Sequence, residues 1–493
     1  MLNYVGHPYY DVGIATLASF VGKREPQQLT LQDLEMVADY MEREYVREPL
    51  RSHLHAISFP NSSFWQPSFR NKPEILQEYT RRILHSFGKD VLASEEKCVF
   101  TGKPAVAVSL DVRDKLPVGR AFRQHIPLLT GEGAINFHPY GDRGLPISGE
   151  ALLAIQALPL GCAKTAGRLL MVHSDNPDIT FRFARKFLEH NRRTVQVAQA
   201  AKSNKMPGSH RKHRTLLIET LLDAVQEQTD SSENEETPFS VTAYHLSNSG
   251  QGPSLDIYFL PFQAVEFLQV MESAEFSDAW HRIVRRAWEI KPPLKPGRQS
   301  KVEPEEPFRP ARNWLYEDLF SLPDNAKHFV RTYFLRIALG YARGKTDPRQ
   351  NYSLAGESDL VSWAITAQFL RRIMNMDPHR IDQIRKMADG LAEYVNSQND
   401  RQFFRDFYWS RNYGDLRIAL LKANLAHVRQ GNPPIVQFEP YIEVFEEGVE
   451  MEYRDWKLPR DLLLIRMIEQ LHKNEWLGRN VEVVEEGTDQ ENE

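Results

Sequence analysis

Lys291–Pro310, KPPLKPGRQSKVEPEEPFRP, carries six prolines in twenty residues, and its reading decides the architecture. Proline lacks a backbone N–H and holds φ near −65°, so a run this dense neither continues a helix nor joins a sheet ladder. The composition predicts an extended tether over 291–310 with a domain on each side. Downstream, apolar residues recur at helical spacing. Ile381, Ile384, Ala388, Leu391 and Val395 form one narrow stripe, and Leu458–Leu471 begins with Pro459, which a first helical turn accepts. Six or seven helices after Asn325 predict a bundle over 311–480, ahead of an acidic tail at 481–493.

Upstream, residues 1–290 read as mixed. Leu31, Leu34, Val37, Ala38 and Met41 predict a helix over Leu31–Tyr45, with Thr30 as N-cap and Asp33 three residues on. Further helices are expected over Glu74–Phe87, Ser148–Ala157, Asp178–Gln199 and Arg214–Gln228. Turn and strand are expected over Cys98–Leu110, a short strand over Arg168–His173, and a hairpin from Phe239–His245 to Leu255–Leu260 around SNSGQGPS. The expected fold class is therefore an α+β N-terminal part, helices with short β-strands and a hairpin, followed by an all-α C-terminal helical bundle.

A chain of 493 residues exceeds what one hydrophobic core serves, and 41% apolar with 26% charged residues is ordinary for a globular protein. Two cysteines 64 positions apart exclude a disulfide framework and suit a reducing cytoplasm, the expected location. No apolar run reaches the roughly 20 residues a membrane helix needs, and MLNYVGHPYYDVG lacks the layout of a signal peptide. Net charge is −5, but the distribution is uneven. Phe181–Arg214 holds ten Lys/Arg and one acid, Glu189, whereas Gly431–Glu493 holds sixteen acids and six bases.

Catalytic signatures are absent from the sequence. There is no GxxxxGK[ST] loop and no GxSxG elbow. Asp11, Asp111, Asp114, Asp142 and Asp175 are scattered, with no DxD pair among them to seat a divalent ion. Structural zinc takes four ligands, usually as close pairs, and Cys98 and Cys162 stand alone. No metal, no cofactor and no enzymatic activity are expected; the rival readings are a metal-dependent nuclease with ligands gathered from distant segments, and a purely structural scaffold.

Nucleic-acid binding has three candidate regions. Arg182, Arg185, Lys186, Arg192 and Arg193, followed by Lys202, Lys205, Arg211, Lys212 and Arg214, make a basic helix and loop suited to phosphates. A solvated amphipathic helix gives the same pattern. Asn136, Phe137 and His138, and Asn248, Ser249 and Gln251, sit in short neutral loops. Amides suit the minor-groove code, and an apolar wedge can unstack a base step; plain turns use the same residues. Arg371, Arg372, Arg401, Arg405, Arg411, Arg417 and Lys422 interleave with Phe403, Phe404, Phe407, Tyr408 and Trp409, as in a strand-holding groove, although at helical spacing such rings also build cores.

The fragments GHPYYDVG, CVFTGKPA, INFHPYGDRGLPIS and YHLSNSGQG resemble the large subunit of type I-B CRISPR surveillance complexes (Cascade, the Cst branch), over nearly the full length. The resemblance implies a non-catalytic subunit for antiviral defence. Its N-terminal part would read the protospacer-adjacent motif on target double-stranded DNA. Its C-terminal bundle would resemble the Cascade small subunit and stabilise the displaced strand of the R-loop. The implied partners are guide RNA, target DNA, the backbone, RNA-5′-end-binding and small subunits, and a recruited helicase–nuclease.

Overall fold

The computed structural model describes residues 2–65, 69, 71–88, 91–133, 141–230, 238–249, 252–292, 307–340, 345–445 and 456–485. Two compact units emerge, Met1–Phe262 and Gln263–Glu493. The first is mixed α and β, the second helical.

The first unit runs α1 (Pro8–Phe20), α2 (Leu31–Tyr45), α3 (Leu50–Ile57), α4 (Pro73–Leu84), β1 (Ala93–Lys97), β2 (Pro104–Val106), β3 (Arg120–Ala121), β4 (Leu145–Pro146), α5 (Gly149–Ala157), β5 (Ala163–Thr165), β6 (Arg168–Ser174), α6 (Pro177–Ala200), α7 (His213–Asp230), β7 (Val241–Ser247) and β8 (Ser254–Leu260). The expected capping box at α2 forms in full: Thr30 Oγ accepts from the Asp33 N–H, and Asp33 accepts from the Thr30 N–H. Helix α1 reaches α5 so closely that a Cβ on Gly13 would lie 2.3 Å from the Ala154 carbonyl oxygen, so only glycine permits that approach.

Strands β5 to β8 form one antiparallel sheet in sequence order. The hairpin pairs all seven residues of each long strand, from Val241 with Leu260 to Ser247 with Ser254. Side chains alternate across the sheet. Leu169, Met171 and Leu246 join Val12 of α1, Ile57, Leu158 and Cys162 in one cluster, while Leu170 and Val172 are buried on the opposite side.

The second unit contains α8 (Phe262–Met271), α9 (Ser277–Arg286), α10 (Trp314–Leu319), α11 (Ala326–Phe329), α12 (Leu354–Glu357), α13 (Trp363–Arg372), α14 (Pro378–Gln398), α15 (Arg401–Tyr408), α16 (Tyr413–Arg429), α17 (Phe438–Phe445), α18 (Lys457–Lys473), α19 (Trp476–Arg479) and α20 (Glu482–Glu485). Its core includes a ring cluster. Phe369 stacks on Phe329 with centroids 5.1 Å apart and meets Phe267 edge-on at 5.5 Å; Phe267 meets Trp280 in the same way at 5.4 Å.

That cluster corrects the expected boundary. The break falls between Phe262 and Gln263 rather than at 291–310, because α8 and α9 bury Phe267 and Trp280 in the helical unit. Residues 293–306 lie outside the described residues, but both flanks of the proline run zip together. The Trp314 N–H donates to the Ala287 carbonyl at 2.9 Å, and the Glu289 N–H to the Arg312 carbonyl at 2.9 Å. The run thus leaves and rejoins the same unit. Proline density reports that the backbone cannot form a helix, not what its flanks pack against. The expected tail beginning at 481 is also shortened: α20 buries Val483 and Val484, and Glu482 pairs with Arg401 at 2.9 Å.

Candidate nucleic-acid interface

Helix α6 forms as expected. Asn176 caps it by accepting from the Asp178 N–H, and Pro177 occupies its first turn. Its apolar side, including Phe183, Phe187 and Val195, is buried. The opposite side is not the open cationic ridge the sequence suggests. Arg182 is buried, donating to Asp178 at 2.6 Å and to Glu227 at 3.4 Å. Arg185 also donates to Glu227, and Lys186 lies 2.9 Å from Asp223 and 3.5 Å from Glu227. Both acids project from α7, which packs against α6 as the second arm of a helical hairpin. Arg211 is likewise held by Glu219 at 2.9 Å.

Charge-assisted pairs of this kind cancel the local field, and that field is what attracts phosphates. Assigning Arg182, Arg185, Lys186 and Arg211 to phosphate binding is therefore corrected: their charges are spent inside the fold. Arg193, Lys202 and Lys205 are exposed, with no carboxylate partner among the described residues. Arg192 is exposed and lies over the Phe20 ring at 4.8 Å. Lys212 is half-buried, and Arg214 lies over Tyr258 at 4.7 Å.

Asn248 is fully buried, and its amide is spent on the fold. Its Nδ2 donates to the Ser58 carbonyl at 2.8 Å and the Arg123 carbonyl at 3.2 Å, and Oδ1 accepts from Arg123 Nε at 3.2 Å. Its N–H donates to the Ile57 carbonyl at 2.7 Å. A side chain so occupied cannot also read a base edge, so Asn248 is reassigned from reader to clamp. Ser249 gives its carbonyl to Arg123 Nη2 at 2.7 Å, and its hydroxyl donates to the Gly252 carbonyl at 3.0 Å across the loop mouth. Gln251, Asn136, Phe137 and His138 lie outside the described residues.

Arg123 is the residue that sequence reasoning missed. Its side chain grips 248–249, while its N–H donates to the Thr130 carbonyl at 3.2 Å, near where the chain enters 134–140. Arg123 thus joins residues 248–249 to the turn that ends at Thr130. Beside it lies a cavity of about 310 Å³ lined by Asn61, Tyr79, Asp111, Arg123, Gln124 and Glu132, among others. Its floor is rigid. His125 accepts from the Phe122 N–H at Nδ1 (3.1 Å), so its Nε2–H donates to the Leu110 carbonyl (3.1 Å). Burial pushes this imidazole down to about 4. Both of its nitrogens are committed, and the chemistry left in the cavity is hydrogen bonding by amides, carboxylates and a guanidinium. No local signal marks Arg123, because its partners are 125 residues away.

The C-terminal cations divide in the same way. Arg372 pairs with Glu266 at 2.8 Å and Arg401 with Glu482 at 2.9 Å, so neither offers an open charge, and their assignment to a strand groove is corrected. Arg405 is half-buried; Arg371, Arg411, Arg417 and Lys422 are exposed. Phe403, Phe404 and Phe407 are core residues, while Tyr408 and Trp409 are half-buried.

The scattered aspartates have separate structural tasks. Asp11 accepts from the Val5 and Gly6 N–H groups, Asp114 pairs with Arg82, Asp142 with Arg120, and Asp175 accepts from Ser240. Cys98 and Cys162 are buried free thiols. Among the described residues, one group of metal-type ligands comes together: Glu35, Asp39 and His85, with ligand atoms within 4.8 Å of one another. Glu35 and Asp39 are four apart on α2, a readable spacing; His85 arrives from the end of α4.

No helix among the described residues is long and apolar enough to cross a membrane. Comparison with protein-family models and with curated proteins returned no match.

Proposed function

We propose that this chain is a non-catalytic large subunit of an RNA-guided, Cascade-type surveillance complex that reads a short flank on double-stranded target DNA in the cytoplasm. In this reading it works with guide RNA, backbone, RNA-5′-end-binding and small subunits, aids strand separation and R-loop stabilisation, and presents the target to a recruited helicase–nuclease. The sequence resemblance motivates it. The observation that supports it furthest is the Arg123 clamp, which holds residues 248–249, at the root of one candidate reading loop, beside a polar cavity. A reading element has to be held rigidly so that a few hydrogen bonds discriminate between bases, each good pair contributing roughly 1–3 kcal/mol.

The division of labour is revised from that expected of the sequence. Residues 136–138 and 251 remain the readers, Asn248 and Arg123 fix residues 248–249 ahead of the second of these loops, and Arg193, Lys202 and Lys205 meet phosphates. Binding of the complex assembled around this chain to a duplex library with a randomised flank tests this. Asn136→Ala and Phe137→Ala should flatten the flank preference at unchanged non-specific affinity. Arg193→Ala with Lys202→Ala should weaken all flanks equally. If the wild-type complex shows no flank preference, or both variant classes leave it untouched, the reading fails.

A further inference from the structure

Helix α16 has two apolar sides. Leu416, Ala419, Leu420 and Ala423 face inward and are buried. Ile418, Leu421, Leu425 and Val428 lie on the opposite side, with 51, 59, 55 and 44% of their surface exposed. Their spacing of three and four residues is the a and d pattern of a helix–helix seam. An exposed row of four aliphatic side chains along one helix marks a protein-binding surface.

The flanking rows say what kind of partner fits. The positions beside the seam that set partner choice hold Arg417 on one flank and Lys422 and Arg429 on the other, all exposed. The acid in these rows, Asp415, lies in the first turn and accepts from Asn412 at 2.8 Å. On the Arg417 flank, Asn424 is tied to the Val436 backbone at 3.1 and 3.2 Å. A second copy of α16 would set cations against cations in either orientation, which disfavours self-association. Nucleic acid would satisfy the cations but leave the aliphatic row without a partner.

We infer that the outer side of α16 docks an amphipathic helix of another protein whose apolar seam is flanked by glutamate or aspartate. This goes beyond the DNA-flank reading and uses different residues, all on the helical unit. It also reassigns Arg417 and Lys422 from a strand groove to a protein interface.

The test uses the full chain and two labelled synthetic helices of about three heptads, identical at the apolar seam, one flanked by Glu and one by Lys. Fluorescence anisotropy should show the Glu helix binding roughly tenfold or more tighter at low salt, with the gap narrowing as salt rises. Leu421→Ser with Leu425→Ser should abolish binding, and the triple variant R417E/K422E/R429E should reverse the preference. Circular dichroism should report unchanged melting for every variant, because the changed side chains face solvent. Equal binding of the two helices, or none, overturns the proposal. So does a concentration-dependent dimer lost on Leu425→Ser, which assigns the face to a second copy. Binding of a single-stranded oligonucleotide that is lost in K422E/R429E, with both helices inert, assigns it to nucleic acid and equally overturns the proposal.

Discussion

Helices α6 and α16 look alike in charge as strings of letters: rich in arginine and lysine, nearly without acids. Folded, they are opposites. The first half of α6 has Asp223 and Glu227 of α7 laid across it, and its cations become ties between two helices. Helix α16 keeps Arg417, Lys422 and Arg429 facing solvent, alongside a second apolar row. A basic helix is thus a binding surface only where the fold brings no carboxylates to it. Local composition cannot report that.

The largest test of this contrast lies within α16. Leu420→Ala on the inner side should cost about 3 kcal/mol through lost burial and a cavity. Leu425→Ala on the outer side should change unfolding by less than about 0.5 kcal/mol. Chemical denaturation measures both, and equal effects would mean that the outer row is covered.

Histidine 125 is a base buried with no carboxylate to answer it, and its effect should be of similar size. Its folded pKa lies near 4, below the ordinary value near 6.5. The unfolded chain therefore takes up a proton first as pH falls. Stability is full above about pH 6.5 and declines toward pH 4, by on the order of 3 kcal/mol from this residue. His53, pushed down to about 3, and His213, to about 4, act in the same direction. Unfolding followed between pH 7 and pH 4 should therefore flatten in His125→Gln without becoming level.

Asn248→Ala should destabilise the first unit by about 2 kcal/mol, since the Ser58 and Arg123 carbonyls would lose a buried donor. Urea unfolding checks it, and an unchanged midpoint would return Asn248 to the list of readers. Glu227→Gln should cost only about 1 kcal/mol, its pairs being partly exposed. It should nonetheless release Arg185 from its main partner, and duplex DNA should then bind more tightly with a steeper salt dependence. Smallest in stability are Arg193→Ala and Lys202→Ala. Neither should shift melting, and each should reduce the salt slope by about 0.9, whereas Arg185→Ala should leave the slope unchanged.

What could be read in advance was local. The Thr30–Asp33 capping box, the α6 span and the hairpin from β7 to β8 depend on residues a few positions apart, and all three formed. The pairing of α6 with α7 was partly legible: Lys186 and Glu227 stand nearly equidistant from Pro207, the position where the hairpin turns. The clamp at Asn248 was not, because an asparagine in a loop rich in serine and glycine reads as a turn whether or not its amide is buried. Nor was the role of α8 and α9, whose rings belong to the helical core although the proline run lies downstream of them.

From its own letters this chain determined where helices and strands begin and end, because caps, proline and side-chain period act within a turn or two of backbone. Tertiary structure alone decided which charges remain outward. Neutralisation needs a carboxylate within about 4 Å in space, and for Lys186 both such carboxylates, Asp223 and Glu227, stand on the next helix.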